Sequence, residues 1–275
     1  MIRGKMKRTI SFICIAVFGL SLALILLGPV VGCQGMKARL QEAENHYEYG
    51  LLYLRNGKYN LAFTEFQKAQ ELNPKDPRVY NGLGLTYYFQ AKFPLAVQEY
   101  LKAIRLNKEF ADAYNNLAAA LGKLEKWAEV IRYADRALSI SSYTTPELAH
   151  FNKGMAYYHL GEYDKARVEF ETSLELDANY ADTHYHLGLT LLAMKQNASA
   201  IKSFQKALEL LSMAEGGGEQ DDFLATEVHY HLAIAYFQNG QNELATKEFQ
   251  KVIDLAPESV RAREAQGYIG RLKMK

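Results

Sequence analysis

Residues 43–76 read AENHYEYGLLYLRNGKYNLAFTEFQKAQELNPKD, and almost everything downstream is a variation on this unit. Two helical patterns flank a break at Gly57-Lys58-Tyr59, and Pro74 ends the second of them. The fixed points are Gly50, Tyr53, Gly57, Tyr59, Ala62, Phe66, Ala69 and Pro74. A shift of 34 residues finds Gly84, Tyr87, Phe93, Ala96, Tyr100 and Ala103 within 77–110. A further shift finds Leu117, Ala118, Leu121, Trp127 and Ala137 within 111–144. After two extra residues, 147–180 carries Gly154, Tyr157, Gly161, Tyr163, Ala166 and Phe170. Residues 181–214 carry Leu187, Gly188, Leu191, Ala200, Phe204 and Ala207, and 226–259 carries Ala233, Tyr236, Gly240, Ala245, Phe249 and Pro257.

The spacing has a physical meaning. Gly or Ala at the eighth position and Ala at the twentieth withhold bulk where two helices cross at about 8–10 Å. Aromatic residues at positions 11, 17 and 24 fill the space around that crossing, seven of the 19 tyrosines among them, so most of the tyrosine excess reads as packing. One such unit cannot bury both of its faces, so the units must stack. The pattern resembles the tetratricopeptide repeat. That resemblance implies an all-α chain, a right-handed α-solenoid of about six repeats, with repeats one to five in 43–214. Residues 226–275 then hold repeat six and a capping helix, in which Val260, Ala265, Ile269 and Leu272 keep helical spacing among charged neighbours.

Two interruptions break the period. Tyr143-Thr144-Thr145-Pro146 widens the third junction by two residues, and an insertion at 215–225 contains Gly216-Gly217-Gly218 beside several acids. Its composition predicts a flexible loop.

The first forty residues belong to a different regime. Arg3, Lys5, Lys7 and Arg8 precede an apolar run from Ile10 to Leu27, the pattern of an export signal whose basic end stays in the cytoplasm. Val30-Val31-Gly32-Cys33 then resembles the bacterial lipobox, with an aliphatic residue three places before the cysteine and a small one directly before it. The resemblance implies cleavage after residue 32, a diacylglycerol thioether on Cys33, and a lipidated tether at 33–42. Gln34 stands where an aspartate would signal inner-membrane retention, so the expected address is the periplasmic face of the outer membrane. The tether could reach about 33 Å at full extension.

Removing residues 1–32 leaves 28 Lys and Arg against 31 Asp and Glu, and this mild acidity gives no footprint for nucleic acid. No cysteine remains beyond Cys33, which excludes disulfides, zinc–thiolate sites and cysteine catalysis in the folded part. His184-Tyr185-His186 and His229-Tyr230-His231 invite a metal reading, but side chains two apart on a helix point about 200° from each other. Position 4 holds His46, Tyr80, Tyr114, His150, His184 and His229, so its four histidines read as packing residues. His186 and His231 fall on the opposite, groove-facing side, where a partner could touch them. No nucleophile elbow, zinc-protease motif, phosphate loop or dinucleotide fingerprint occurs, so no catalytic residue or cofactor is assigned. The remaining carboxylates read as solvated charge on outer helix faces.

What remains is a surface. In tetratricopeptide domains the first helix of each repeat lines a concave groove with positions 2, 5, 6, 9, 12 and 13. The resemblance therefore assigns Tyr47, Leu51, Leu54, Leu85, Tyr88 and Phe89 to a partner-binding groove in the first two repeats. It adds Phe151, Met155, Tyr158, Tyr185, Leu189 and Leu192 from repeats four and five, then Tyr230, Ile234 and Phe237 from repeat six. So much apolar surface implies a protein occupant, an amphipathic helix or an extended apolar peptide. The Lys/Asn/Arg clamp of chaperone-tail binders is missing, because Leu85, Leu148 and Asn152 occupy its places.

A lipobox followed closely by such repeats resembles the pilotin lipoproteins of type IV pilus biogenesis, which help a secretin reach the outer membrane and assemble. The junction carrying Tyr143, Pro146 and Glu147 ahead of Phe151-Asn152-Lys153-Gly154 is similar to theirs. The expected function is thus a non-enzymatic outer-membrane scaffold for a secretin subunit. The alternative is an envelope adaptor that docks peptidoglycan hydrolases or outer-membrane assembly factors.

Overall fold

The structure, a computed structural model, describes residues 35–213 and 219–273. The expected signal sequence at 1–32, the expected lipidation site Cys33 and the glycine run 216–218 lie outside the described residues. Among the described residues there are helices and no strands, as the period requires. No described helix is long and apolar enough to cross a membrane.

Two compact units meet at Lys92 and Phe93. In the first, α1 (residues 35–55) is followed by α2 (Tyr59–Leu72) and α3 (Pro77–Phe89). The second opens with α4 (Phe93–Leu106), α5 (Ala111–Gly122), α6 (Trp127–Leu138), α7 (Pro146–His159) and α8 (Tyr163–Leu176). It continues through α9 (Ala181–Ala193), α10 (Asn197–Met213), α11 (Glu219–Gln238), α12 (Asn242–Leu255) and α13 (Val260–Lys273).

Within the second unit each helix packs on the next, and the odd-numbered helices also touch in the pairs α5–α7, α7–α9, α9–α11 and α11–α13. Contacts that never pass the second neighbour define a stack, an all-α solenoid whose core runs along its length. In five of the six repeats the core of the helix pair is one ring at position 24; the third repeat has Ala134 there. Phe66 fills it in the first unit and Phe170, Phe204 and Phe249 in the second, all with no exposed surface. Glycine at position 8 is what admits the ring: a Cβ on Gly50 would lie 2.6 Å from Phe66, on Gly154 2.6 Å from Phe170, and on Gly188 2.5 Å from Phe204.

Every helix pair turns in the same way. The residue at position 16 donates its N–H to the carbonyl at position 11, as in Lys58 to Tyr53 (2.8 Å), Glu162 to Tyr157 (2.9 Å) and Gln196 to Leu191 (2.8 Å). That closure needs a left-handed residue at position 15. Gly57, Gly161 and Gly240 supply it with φ of 68°, 75° and 78°, but Ala91, Glu125 and Lys195 adopt φ of 56°, 59° and 60° with a side chain attached. The left-handed conformation costs a non-glycine residue about 1–2 kcal/mol, part of which glycine returns through its freer unfolded chain. Lys195→Gly should therefore raise stability by roughly 0.5–1 kcal/mol, visible as a higher urea midpoint. An unchanged or lower midpoint would contradict the strain argument.

Two segments depart from expectation. The tether read at 33–42 is already helical from residue 35, because Met36 to Glu44 contains good helix formers and no glycine or proline. A helical segment rises about 1.5 Å per residue instead of about 3.3 Å, so the tether is shorter than an extended chain. The second half of the insertion, 219–225, is the first two turns of α11 and not a flexible loop. Leu224 explains the difference by packing against the core of the second unit.

Candidate functional site

The assigned groove residues lie on α1 and α3 in the first unit and on α7, α9 and α11 in the second. In the first unit Tyr47, Leu51 and Leu54 rest partly buried against the cluster around Phe66. Arg78 lies over the Tyr47 ring at 4.7 Å and is itself held by Asp76 (2.7 Å) and Glu44 (2.6 Å). Leu85 and Tyr88 are half-buried. Phe89 is the most open of the set at 51% exposure, stacked on Tyr59 with ring centres 5.6 Å apart.

In the second unit Phe151, Met155, Tyr158, Leu189, Leu192, Ile234 and Phe237 sit half-buried with one side on the core. Tyr185 and Tyr230 do not belong with them, because both are only 8% exposed. The Tyr185 hydroxyl lies 3.3 Å from His231 Nδ1, and burial raises its pKa above the ordinary range. Tyr230 is roofed by the Arg261 guanidinium at 4.3 Å, and desolvation pushes its hydroxyl up to about 12. Stacking of consecutive repeats has taken these two rings into the core.

The histidines divide by position. At position 4, His150 donates to Glu169 (2.7 Å) and His229 to Glu248 (2.6 Å), with His46 and Glu65 paired alike. Burial alone would raise the pKa values of these three carboxyls; hydrogen bonds from histidine and from Lys68, Lys153 or Lys251 outweigh it and lower them. Glutamates at position 23 are thus drawn between helices and are not solvated outer charges. His184 instead sets Nε2 3.1 Å from the Ala178 carbonyl. At position 6, His186 and His231 are half-buried, each with one face turned to an aromatic ring of the core. His186 stacks on Phe170 at 6.1 Å and His231 on Phe204 at 6.3 Å, each capping the position-24 ring of the preceding repeat. Burial pushes His186 down to about 3, with His159, His231 and Lys123 adding repulsion, and burial lowers His231 as well.

Among the described residues no cluster of histidine, cysteine or carboxylate groups could hold a metal ion. Asn152 on α7 donates to Asn115 on α5 through a 2.8 Å hydrogen bond that joins the third and fourth repeats. Two features escaped the sequence reading. Trp127 and His159 stack face to face at 4.1 Å across α6 and α7. Arg261 on α13 grips Glu227 on α11 with two bonds of 2.8 and 2.9 Å. The second had a signal, since Glu44 and Arg78 form the same pair at the same 34-residue interval.

Comparison with known proteins agrees with this geometry. A TPR repeat model matches residues 50–91, 87–125 and 154–195, and tetratricopeptide repeat models match 110–141, 181–210 and 226–259. Superkiller complex protein 3 of Mus musculus is 36% identical over 76 residues, and the chain spans 5% of that protein's length. Among solved structures, PilF of Pseudomonas aeruginosa superposes with a TM-score of 0.71 at 20% identity, covering 84% of this chain and 99% of PilF. PilW, a type IV pilus biogenesis factor, superposes with a TM-score of 0.73 at 19% identity, covering 82% and 98%. Cut9, from the APC/C hetero-tetramer Cut9–Hcn1, gives 0.71 at 18% identity and is covered over 43% of its length.

Proposed function

The chain is a tetratricopeptide-repeat protein, and on that footing we propose that it is a lipid-anchored, non-enzymatic scaffold of the outer membrane that holds a type IV pilus secretin subunit. The observation that carries this reading is coextension. PilF and PilW match over 99% and 98% of their own lengths, so the likeness is to whole pilus proteins and not to a shared fragment. The half-buried ladder Phe151, Met155, Tyr158, Leu189, Leu192, Ile234 and Phe237 supports a protein occupant, because apolar anchors in a concave surface supply most binding energy. Cys33 supplies the address: a diacylglycerol plus an N-acyl chain exceeds the two signals that stable anchoring needs.

One complementation experiment tests it. Cells lacking the gene should lose most detergent-resistant secretin multimers and surface pili, and the wild-type chain should restore both. Cys33→Ser should stay an unlipidated precursor and restore neither. Phe89→Ser and Tyr158→Ser should keep their helical spectrum yet restore multimers only poorly. Normal multimers and pili in the deletion strain, with altered cell-wall turnover, would move the assignment to another envelope scaffold.

A further inference from the structure

Positions 7 and 10 of a repeat are interior wherever another repeat precedes it. Position 7 holds Leu83, Leu117, Leu187 and Leu232, all buried, and repeat four has Lys153 there, paired with Asp135 (2.9 Å) and Glu169 (2.8 Å). Position 10 holds Thr86, Ala120, Ala156, Thr190 and Ala235, each with no exposed surface. The second helix of the preceding repeat packs against this face: α2 on α3, α4 on α5, α6 on α7, α8 on α9 and α10 on α11. The approach is close, since a Cβ on Gly82 of the second repeat would lie 2.6 Å from Phe66 of the first. Among the described residues no helix precedes α1, and the same face of the first repeat stays open. Tyr49 at position 7 is 55% exposed and Leu52 at position 10 is 47% exposed. At about 100° per residue both lie roughly opposite Tyr47, Leu51 and Leu54. The end of a repeat array ordinarily turns a polar face to water, whereas this one shows an aromatic and an aliphatic side chain. Glu48 and Arg55 border that stripe, both exposed, and neither has a hydrogen-bond or ion-pair partner among the described residues. Seven residues apart, they share one flank of α1 and stand about 10.5 Å from each other along its axis.

From this arrangement we infer that the open face of α1 is an interface with a second copy of the chain, the two α1 helices pairing antiparallel about a two-fold axis near Leu52. Charge complementarity selects that occupant. A two-fold axis across the helices keeps each flank on its own side, so Glu48 of each copy comes level with Arg55 of the other. The same operation brings the two Leu52 side chains together and inserts Tyr49 of each copy between Leu52 and Asn56 of the other. A parallel pairing would send the two flanks to opposite sides and leave all four charges unmet. An apolar seam bordered by opposite charges is the composition by which paired helices choose partner and orientation. Tyr47, Leu51 and Leu54 point away from the seam, so pairing leaves their side of α1 free. The inference goes beyond the scaffold reading and does not depend on which partner the groove holds.

Light scattering on the full chain purified in detergent, with the detergent mass subtracted, reads the protein mass of the particle. At about 100 µM, above the micromolar range expected of so small an interface, that mass should be twice the mass of one chain. Glu48→Arg and Arg55→Glu each bring like charges together and should weaken association at least about tenfold. The double reversal should restore it to within about threefold of the wild type, a rescue that a merely structural role for either residue does not produce. Tyr49→Glu, at an exposed position, should give monomers with an unchanged helical spectrum. A wild-type monomer at that concentration, or a double reversal that stays dissociated, would overturn the inference. A dimer that persists in Tyr49→Glu would overturn it too, because other residues would then hold the copies together. None of these outcomes bears on the secretin reading, which complementation tests.

Discussion

Gly154→Ala should destabilise the chain by about 2–3 kcal/mol, although alanine is the better helix former by about 1 kcal/mol. The new Cβ would stand 2.6 Å from the Phe170 ring. Phe170 has no exposed surface and is fenced by Phe151 at 5.9 Å and His186 at 6.1 Å, so it cannot swing aside. Overpacking therefore outweighs propensity. Gly267 on α13 is the control, because a Cβ there meets nothing within 4 Å. Gly267→Ala should stabilise by about 0.5–1 kcal/mol, the same substitution with the opposite sign. Phe170→Leu shortens the offending ring, so the double variant Gly154→Ala/Phe170→Leu should be less damaged than the two single losses predict, by at least about 1 kcal/mol. Urea midpoints followed by helicity read all four proteins. Additive losses would mean that position 8 is small for some other reason.

Acid should weaken the fold well before the carboxylates titrate. His186 keeps its neutral form down to about pH 3, whereas the unfolded chain protonates near 6.5. Between those values the unfolded state holds the extra proton, so stability is complete above pH 6.5 and falls as pH drops. The slope is about 1.4 kcal/mol per pH unit, or roughly 2.5 kcal/mol between pH 6.5 and 4.5. His231 acts in the same direction. Below about 4.5 the lowered carboxyls of Glu65, Glu169 and Glu248 steepen the loss, since their contribution also vanishes as pH falls through their folded values. His186→Asn places at this site the residue that Asn116 and Asn152 supply at the same position of repeats three and four. That variant should show a much flatter urea midpoint between pH 6.5 and 4.5. An equally steep profile would remove His186 as the cause.

Much of the fold was legible because its causes are local or recur at one interval. Gly50 and Phe66, Gly154 and Phe170, and Gly188 and Phe204 each lie 16 residues apart, so the small-against-large crossing is written into the period. The helix break at position 15 is equally visible wherever glycine occupies it; at Ala91, Glu125 and Lys195 the same turn forms without that mark. The candidate site was legible in outline only. Helical phase puts positions 5, 6, 9 and 12 toward one side, but it does not say how much of each side chain the next repeat will cover.

The 34-residue repeat is enough to specify all-α helix pairs, their turns and their position-24 rings, because each depends on contacts inside one unit. Exposure depends on the neighbouring unit and had to come from the assembled stack. Tyr185 and Tyr230 went from groove to core, His186 and His231 became lids on Phe170 and Phe204, and Arg261 closed over Tyr230. The physical reason is geometric: consecutive first helices converge on the inner side of the stack, so residues that share one helical phase end with very different shares of water.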